Sequence, residues 1–378
     1  MTIKNPDTGS QPSLYEILEK PSHVQLEFFE HNRSKNDPSY AEKGFRSLAA
    51  GLFASEHISM DQYVSIFGGH ALNYLTEVAP GAFNYMGTGL DADELVVSYS
   101  RAKHGSIQDI NALAFSIINY LSAQLDQPES HWARLFREAK ERNDTVVMMT
   151  TGWRNVPSTS NVLYSIVVRE INLKLANLEL PTIVEVRLPR IAPPCENYGA
   201  LSAEEREIVN RTQDHVIPAE NFYRWGGVHV IFGDDVLVTG ATADKVLYES
   251  TINGAKSFQS IYPIAIDPRL SLSQANIEER LNTALVKEVL DETVYSILSS
   301  SDFQPILRTV RLVFSKKNQA KLSEFLPQLP IKNLLELYKA ALGSELMRRE
   351  DTRPSLRLLR KYLYDAGLLD SKGLSTEW

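Results

Sequence analysis

Two adjacent aspartates, Asp234 and Asp235, follow the apolar segment 228–232 after a single glycine. Side chains alternate between the two faces of a strand, so both carboxylates can reach one pocket only if the strand ends or bends there. Carboxylates in this position can accept hydrogen bonds from the vicinal hydroxyls of a sugar or hold a hydrated Mg²⁺, which prefers oxygen ligands. The pair is therefore the first candidate for functional chemistry.

A loop rich in hydroxyl groups comes shortly after the acidic pair. Gly240 allows a tight turn between Thr239 and Ala241, and a helix is predicted to begin at this point. Unpaired N–H groups at the start of the helix, together with the hydroxyls of Thr239 and Thr242, predict an anion cradle of the size of a phosphate. A ligand with a sugar diol and a 5′-phosphate would use both the loop and the acidic pair.

Strands and helices alternate from about residue 90 to residue 268, which predicts an α/β fold with a doubly wound, mainly parallel sheet. The predicted strands are 94–99, 145–149, 182–188, 228–232 and 257–266. Apolar residues that recur every three or four positions predict helices over 107–121 and 162–175, and a third helix is predicted over 241–253 with Gly254 as its stop. Ligands of such sheets bind beyond the carboxyl ends of the strands, where the acidic pair lies.

Composition and pattern divide the chain into four parts. Residues 1–20 are polar and predicted to be a disordered tail, and 21–93 form an N-terminal segment of mixed, loop-like pattern that could serve as a hood. The predicted core is 94–268, and 269–378 are predicted to form a helical module. The last helix of that module carries leucines on one face and ends at a glycine: Leu356, Leu359, Leu363 and Gly367.

The overall composition restricts the class of protein. A formal net charge of −8 disfavours a generally basic surface for nucleic acid. The single cysteine, Cys195, excludes an internal disulfide and is interpreted as an unreactive loop thiol. No segment has the apolar core of a signal peptide or the roughly 20 apolar residues of a membrane helix. A cytoplasmic protein without a membrane partner is expected, and a homodimer stays open.

The stretch 228–245 resembles the phosphoribosyl pyrophosphate (PRPP) binding motif of type I phosphoribosyltransferases, in which a strand, two acids, two apolar residues and a Thr-Gly-x-Thr loop follow one another. The resemblance implies PRPP as substrate, with Mg²⁺ on its ribose and pyrophosphate. It implies that Asp234 and Asp235 bind the ribose hydroxyls, with the metal held through water or those hydroxyls. It assigns the 5′-phosphate to the loop Val238, Thr239, Gly240, Ala241 and Thr242.

The likeness extends over about residues 95–268. The segments 198–210 and 252–266 are similar to the competence-protein ComF-like branch, and 99–105 with the helical extension show a weaker likeness to ComF-like relatives associated with tellurite-resistance gene clusters. By position, the pyrophosphate loop would be Thr151, Gly152, Trp153 and Arg154. The segment 187–224 would be a lid, and the lid or hood candidates are Arg101, Lys103, Arg206 and Asn210.

One departure from the motif bears on the reaction. Val238 stands where some purine-using members carry an aspartate that acts on the base. The acceptor therefore stays open among a nucleobase, an amine and a modified base. The resemblance implies an enzyme, a phosphoribosyltransferase; the alternative is a non-catalytic regulator that senses PRPP or a nucleotide and contacts a protein or nucleic-acid partner through the helical module.

Overall fold

The computed structural model of the chain describes residues 49–66, 69–153, 155–189, 227–274 and 276–376. Several predictions fall on residues outside these ranges. They are the tail 1–20, Arg154, Cys195, Arg206, Asn210 and the lid from residue 190 onward.

A six-stranded sheet forms the centre of the described structure, with the strand order β2-β1-β6-β5-β3-β4. All neighbouring strands are parallel except β2, which pairs antiparallel with β1 at one edge. The predicted α/β class with a mainly parallel sheet is therefore confirmed. The strands are β1 Gly69–Ala79, β2 Ala82–Tyr85, β3 Thr145–Trp153, β4 Ile183–Pro189, β5 Val228–Gly233 and β6 Ser257–Ile266.

Both faces of the sheet are covered, as a doubly wound fold requires. Met148 and Ile231 belong to a core shared with α3 and α5, whereas their neighbours Val147 and Val230 belong to a second core with α1 and α6. This division follows from the alternation of side chains along a strand, and it explains why the segments 146–149 and 230–232 are continuous apolar runs. The helices are α1 Met60–Ile66, α2 Asp93–Lys103, α3 Ile107–Leu125, α4 His131–Arg142, α5 Thr159–Asn177 and α6 Ala241–Ile252.

The prediction of a strand over 94–99 is wrong, because these residues lie in helix α2. Val96, Tyr99 and Ala102 recur every three positions and are all buried on one side of the helix. A short apolar run cannot distinguish a strand from a buried helix by its pattern alone. The strand that pairs with β6 is instead β1, which lies in the segment predicted to be loops.

Strand β3 is longer than predicted. It continues to Trp153, which pairs with Pro189 of β4 after a register shift beyond Thr150. The expected loop residues Thr151 and Gly152 are thus part of the strand. The pairing partner on β4 holds this stretch extended, and the sequence of the stretch gives no sign of that partner.

Beyond β6 the described residues form helices: Ile277 and Leu281 belong to a core shared with the sheet, and the helices from Glu292 onward have a hydrophobic core of their own. The last helix buries Leu356, Leu359 and Leu363 as predicted, and Gly367 follows it with a φ of +77°. We call residues 269–376 the helical module. Its helices are α7 Pro268–Ser273, which begins one residue earlier, α8 Ile277–Asn282, α9 Glu292–Leu298, α10 Leu307–Phe314, α11 Gln319–Phe325, α12 Ile331–Gly343 and α13 Arg353–Asp365. Among the helices that the structure describes, none has both the length and the apolar composition needed to cross a membrane.

Candidate functional site

The acidic pair lies where the chain reverses its direction across the sheet. From β3 the chain moves outward to β4 and then returns to β5 on the other side of β3. Connections that leave two neighbouring strands in opposite directions open a crevice at their carboxyl ends, which is the usual ligand site of such sheets. Asp234 and Asp235 directly follow β5 and therefore border this crevice.

Strand β5 ends at Gly233, and the backbone bends at Asp235. The chain then pairs with β6 again, because the N–H of Leu237 donates to the carbonyl of Ile264 at 2.9 Å. The predicted end or bend of the strand at the aspartates is confirmed. The bend is what lets two successive side chains turn toward one point.

That point is the hydroxyl of Ser160. Its Oγ lies 2.7 Å from Asp234 Oδ1 and 2.8 Å from Asp235 Oδ1. A hydroxyl carries a single proton, so Ser160 can donate to only one of the two carboxylates at a time. The backbone N–H of Asp235 also donates to Asp234 Oδ1, at 3.0 Å. Both carboxylates are thus held against the same side chain.

Asp235 is the buried member of the pair, with 3% of its surface exposed. Its Oδ2 accepts from the ammonium of Lys103 at 2.6 Å and from the hydroxyl of Tyr99 at 2.8 Å. Burial alone would raise the pKa of Asp235, but the Lys103 charge and the donors on both of its oxygens lower the pKa to about 2. Asp235 is therefore ionised, and a hydrogen-bond donor lies next to each of its carboxylate oxygens.

Asp234 is half-buried and differently placed. Burial, and next the neighbouring charge of Asp235, raise the pKa of Asp234 to about 7. Within the described parts of the chain, no group donates a hydrogen bond to Asp234 Oδ2. Among the described residues, this oxygen is the one on the acidic pair that accepts no hydrogen bond from the protein.

Glycine at position 233 is required by a close contact. A Cβ at this position would lie 2.6 Å from three ring carbons of Tyr164, well inside contact distance. The Tyr164 hydroxyl lies within hydrogen-bond distance of the carbonyls of Asp234, at 3.1 Å, and Ile261, and it can donate its single proton to one of them at a time. Tyr164 thus passes beneath the end of β5 and holds the backbone that carries the acidic pair.

Local sequence explains why Ser160 faces the pair. Ser158 caps α5 in a reciprocal arrangement with Asn161, which places Ser160 in the first turn of the helix. The amide of Asn161 also donates to Thr150 Oγ1 at 2.8 Å, so the start of α5 is tied to β3. Ser160 is thereby held at the carboxyl ends of the strands.

The groups on the other side come from the last turn of α2. Tyr99 and Lys103 are four residues apart, and residues with this spacing lie on the same face of a helix. Burial is the largest influence on Tyr99 and, with the Asp235 charge, raises the pKa of its hydroxyl, which therefore stays protonated and donates. Burial is the largest influence and would lower the pKa of Lys103, but the charges of Asp235 and Glu278 together raise that pKa, so the lysine stays charged.

The Thr-Gly loop leads into α6 as predicted. Gly240 has a φ of +71°, a left-handed conformation that favours glycine, and it precedes the first helical residue, Ala241. The hydroxyl of Thr239 accepts from the N–H of Ala241 at 3.4 Å. No acceptor among the described residues faces the N–H groups of Thr242 and Ala243. These groups are available to an anion at the start of the helix.

Two other described site candidates, Arg101 and Trp153, contact different partners. Arg101 binds Asp109 through two hydrogen bonds of 2.7 and 2.8 Å instead. The ring of Trp153 stacks under the guanidinium of Arg187, 4.3 Å from the ring centroid. Lys103 alone of the described lid or hood candidates reaches the pair. Sequence reasoning missed Tyr99, Ser160 and Tyr164; only the polar cap pattern at 158–161 hinted at Ser160, as a cap.

The segment after β3 is joined to the helical module. Val156 is buried in the core of that module. The N–H of Leu307 donates to the carbonyl of Pro157 at 3.1 Å, and the amide of Asn155 donates to the carbonyl of Gly343 at 2.7 Å. The chain that leads to Ser160 is therefore attached to the module as well as to the sheet.

Across the described ranges, no three histidine, cysteine, aspartate or glutamate side chains converge to bind a metal. Family models, curated proteins and solved structures gave no significant match to this chain. We therefore infer the function from the geometry of the site.

Proposed function

We propose that the protein is a cytoplasmic phosphoribosyltransferase-like enzyme with a type I core. It would bind PRPP and Mg²⁺ and transfer ribose 5-phosphate to a nucleobase or amine acceptor, with release of pyrophosphate. One observation carries the proposal: an open carboxylate oxygen on Asp234 is followed closely along the chain by free N–H groups at the start of α6, both at the crevice of the sheet. A sugar hydroxyl and a phosphate on one ligand match these two features.

The residues present would act by binding and orientation. Asp234 Oδ2 accepts a hydrogen bond from a ribose hydroxyl, and the N–H groups of Thr242 and Ala243, with the threonine hydroxyls, hold the 5′-phosphate. The acceptor displaces pyrophosphate at the anomeric carbon through a transition state with positive charge on the sugar. The carboxylate of Asp234 stabilises that charge, and a fixed sugar brings the reacting atoms into line.

Mg²⁺ is the cation that the motif implies. The acidic pair does not fit a metal bound by protein ligands alone, because Lys103 and Tyr99 occupy one carboxylate. It does fit a cation that arrives with PRPP and keeps most of its water and phosphate ligands, since Asp234 offers one open oxygen. When bound, such a cation neutralises charge on the leaving pyrophosphate.

A second candidate is a non-catalytic regulator that binds PRPP or a nucleotide. The burial of Val156 in the helical module favours it, because the segment that leads to Ser160 is thereby connected to a separate group of helices. In this candidate, a ligand bound in the crevice shifts the segment before Ser160 and so changes how the helical module contacts a partner. Release of pyrophosphate from PRPP would distinguish the enzyme from the regulator.

Calorimetric titration with PRPP and Mg²⁺ tests the proposal. We expect binding by the wild type and a loss of about 10- to 100-fold in Asp234→Asn, the range for a hydrogen bond to a charged group. Asp302→Asn is the matched control, because Asp302 is exposed in the helical module. The release of pyrophosphate with a panel of bases and amines then supports the enzyme, whereas binding without turnover supports the regulator. Absence of PRPP binding, or equal binding by both variants, contradicts the proposal.

A further inference from the structure

Lys103, at the end of helix α2, contacts the acidic pair in a way that its prediction as a lid or hood residue did not suggest. We propose that Lys103 is the resident cation of the pair: it occupies Asp235, keeps free divalent cations away from the pair, and leaves Asp234 as the carboxylate of the pair that meets the ligand. The inference rests on the proposed function for the identity of that ligand. It divides the two aspartates into a binding residue and a positioning residue.

The contacts of Lys103 are those of a built-in counter-ion. Its Nζ lies 2.6 Å from Asp235 Oδ2, with 16% of the lysine side chain and 4% of the aspartate side chain exposed. The ammonium also lies 5.7 Å from the ring centroid of Tyr99, within the range of a cation–π contact. A lysine that was free to bind an incoming phosphate would extend into solvent.

Among the described residues, no cation other than Lys103 forms an ion pair with Asp235. Arg308 is itself paired with Glu279 through two hydrogen bonds of 3.0 Å. If a divalent cation took the place of the Lys103 ammonium, the lysine would be left buried with its partner removed. A buried charge without a partner is strongly unfavourable. The wild-type pair should therefore bind free metal poorly.

The position of Lys103 is also set by the backbone beneath it. Ser100 donates to the carbonyl of Asn282 at 2.8 Å and accepts from the N–H groups of Leu285 and Val286, each at 3.1 Å. The hydroxyl of Thr309 donates to the carbonyl of His104 at 2.6 Å. The helical module thus holds the last turn of α2, so the lysine is directed at Asp235 before any ligand arrives.

Titration with Mn²⁺ alone, followed by the electron paramagnetic resonance signal of the free ion, tests the inference without PRPP. We expect Lys103→Met to bind one Mn²⁺ at least about 10-fold more tightly than the wild type, because the four-atom chain is kept and its charge is removed. Lys103→Arg retains the positive charge and should stay as weak as the wild type. Adding Asp235→Asn to Lys103→Met should abolish the gain.

Lys103→Gln serves as a second variant if Lys103→Met does not fold, since its amide can still donate to Asp235. Equal Mn²⁺ affinity in the wild type and both neutral variants overturns the inference, as does a gain that survives Asp235→Asn. A gain of Mn²⁺ binding in a protein that binds no PRPP would leave the role of Lys103 standing and reject the proposed function. PRPP binding, without a gain of Mn²⁺ affinity in the Lys103 variants, would leave the proposed function standing and reject the role of Lys103.

Discussion

His104 provides a quantitative test of how the helical module packs on α2. The histidine is 1% exposed, its Nδ1 lies 2.8 Å from the carbonyl of Ser100, and its Nε2 has no hydrogen-bond partner within the described residues. Nδ1 therefore carries the proton of the neutral ring. Burial is the main influence and lowers the pKa of His104 to about 4, although the bond to Ser100 opposes the change.

The effect on stability follows from proton binding in the two states. An unfolded histidine has a pKa of about 6.5, so below that pH the unfolded chain binds a proton that the folded chain excludes. The free energy of unfolding therefore falls as the pH drops from about 6.5 to about 4, where the folded histidine also titrates. Integration between about pH 7 and about pH 5 gives a loss of about 2 kcal/mol from His104 alone.

The substitution His104→Asn isolates this contribution. An asparagine amide can keep the hydrogen bond to Ser100, but it does not titrate. We expect the loss of stability between about pH 7 and about pH 5 to be smaller in the variant by about 2 kcal/mol, measured by urea unfolding at both pH values. His57→Asn is the control for the replacement of a histidine as such, because His57 is exposed.

Direct titration of the His104 ring by NMR provides the decisive check. A ring pKa near the ordinary value of about 6.5, or the same pH dependence in the wild type and in His104→Asn, would refute the reasoning. The other groups that titrate in this range are present in both proteins, so their contributions cancel in the comparison.

Three further substitutions test the scaffold of the site. Gly233→Ala should destabilise the protein by about 1–3 kcal/mol in urea unfolding, because the new Cβ collides with the ring of Tyr164; a change below about 0.5 kcal/mol would contradict this packing. Thr309→Val should cost about 1 kcal/mol through the lost hydrogen bond to the carbonyl of His104, and hydrogen exchange should increase first at the end of α2. Gly240→Ala should cost about 1 kcal/mol, because its φ of +71° is strained for alanine, and should weaken PRPP binding; unchanged thermal stability would show that the turn is not left-handed.

Much of the fold could be predicted because local pattern determines it. Strands β4, β5 and β6 and helices α3, α5 and α6 lie where the sequence pattern predicts them. Two elements could not be predicted from local pattern. The apolar run 94–99 fits a strand or a buried helix equally well, and only its packing against other helices makes it α2. The mixed polar pattern around β1 concealed a strand whose extended form depends on pairing with β6.

The sequence by itself determined that Asp234 and Asp235 end a buried strand and that a glycine turn and a helix start follow them, because these features need only neighbouring residues. The tertiary structure decided what each aspartate does. Lys103 and Ser160 come from distant parts of the chain, and no local signal indicates that they meet the pair. Electrostatic interactions depend on distance in space rather than on separation along the chain. Two adjacent and identical residues therefore differ: Asp235 is buried and paired with Lys103, whereas Asp234 keeps an oxygen that no described residue donates to.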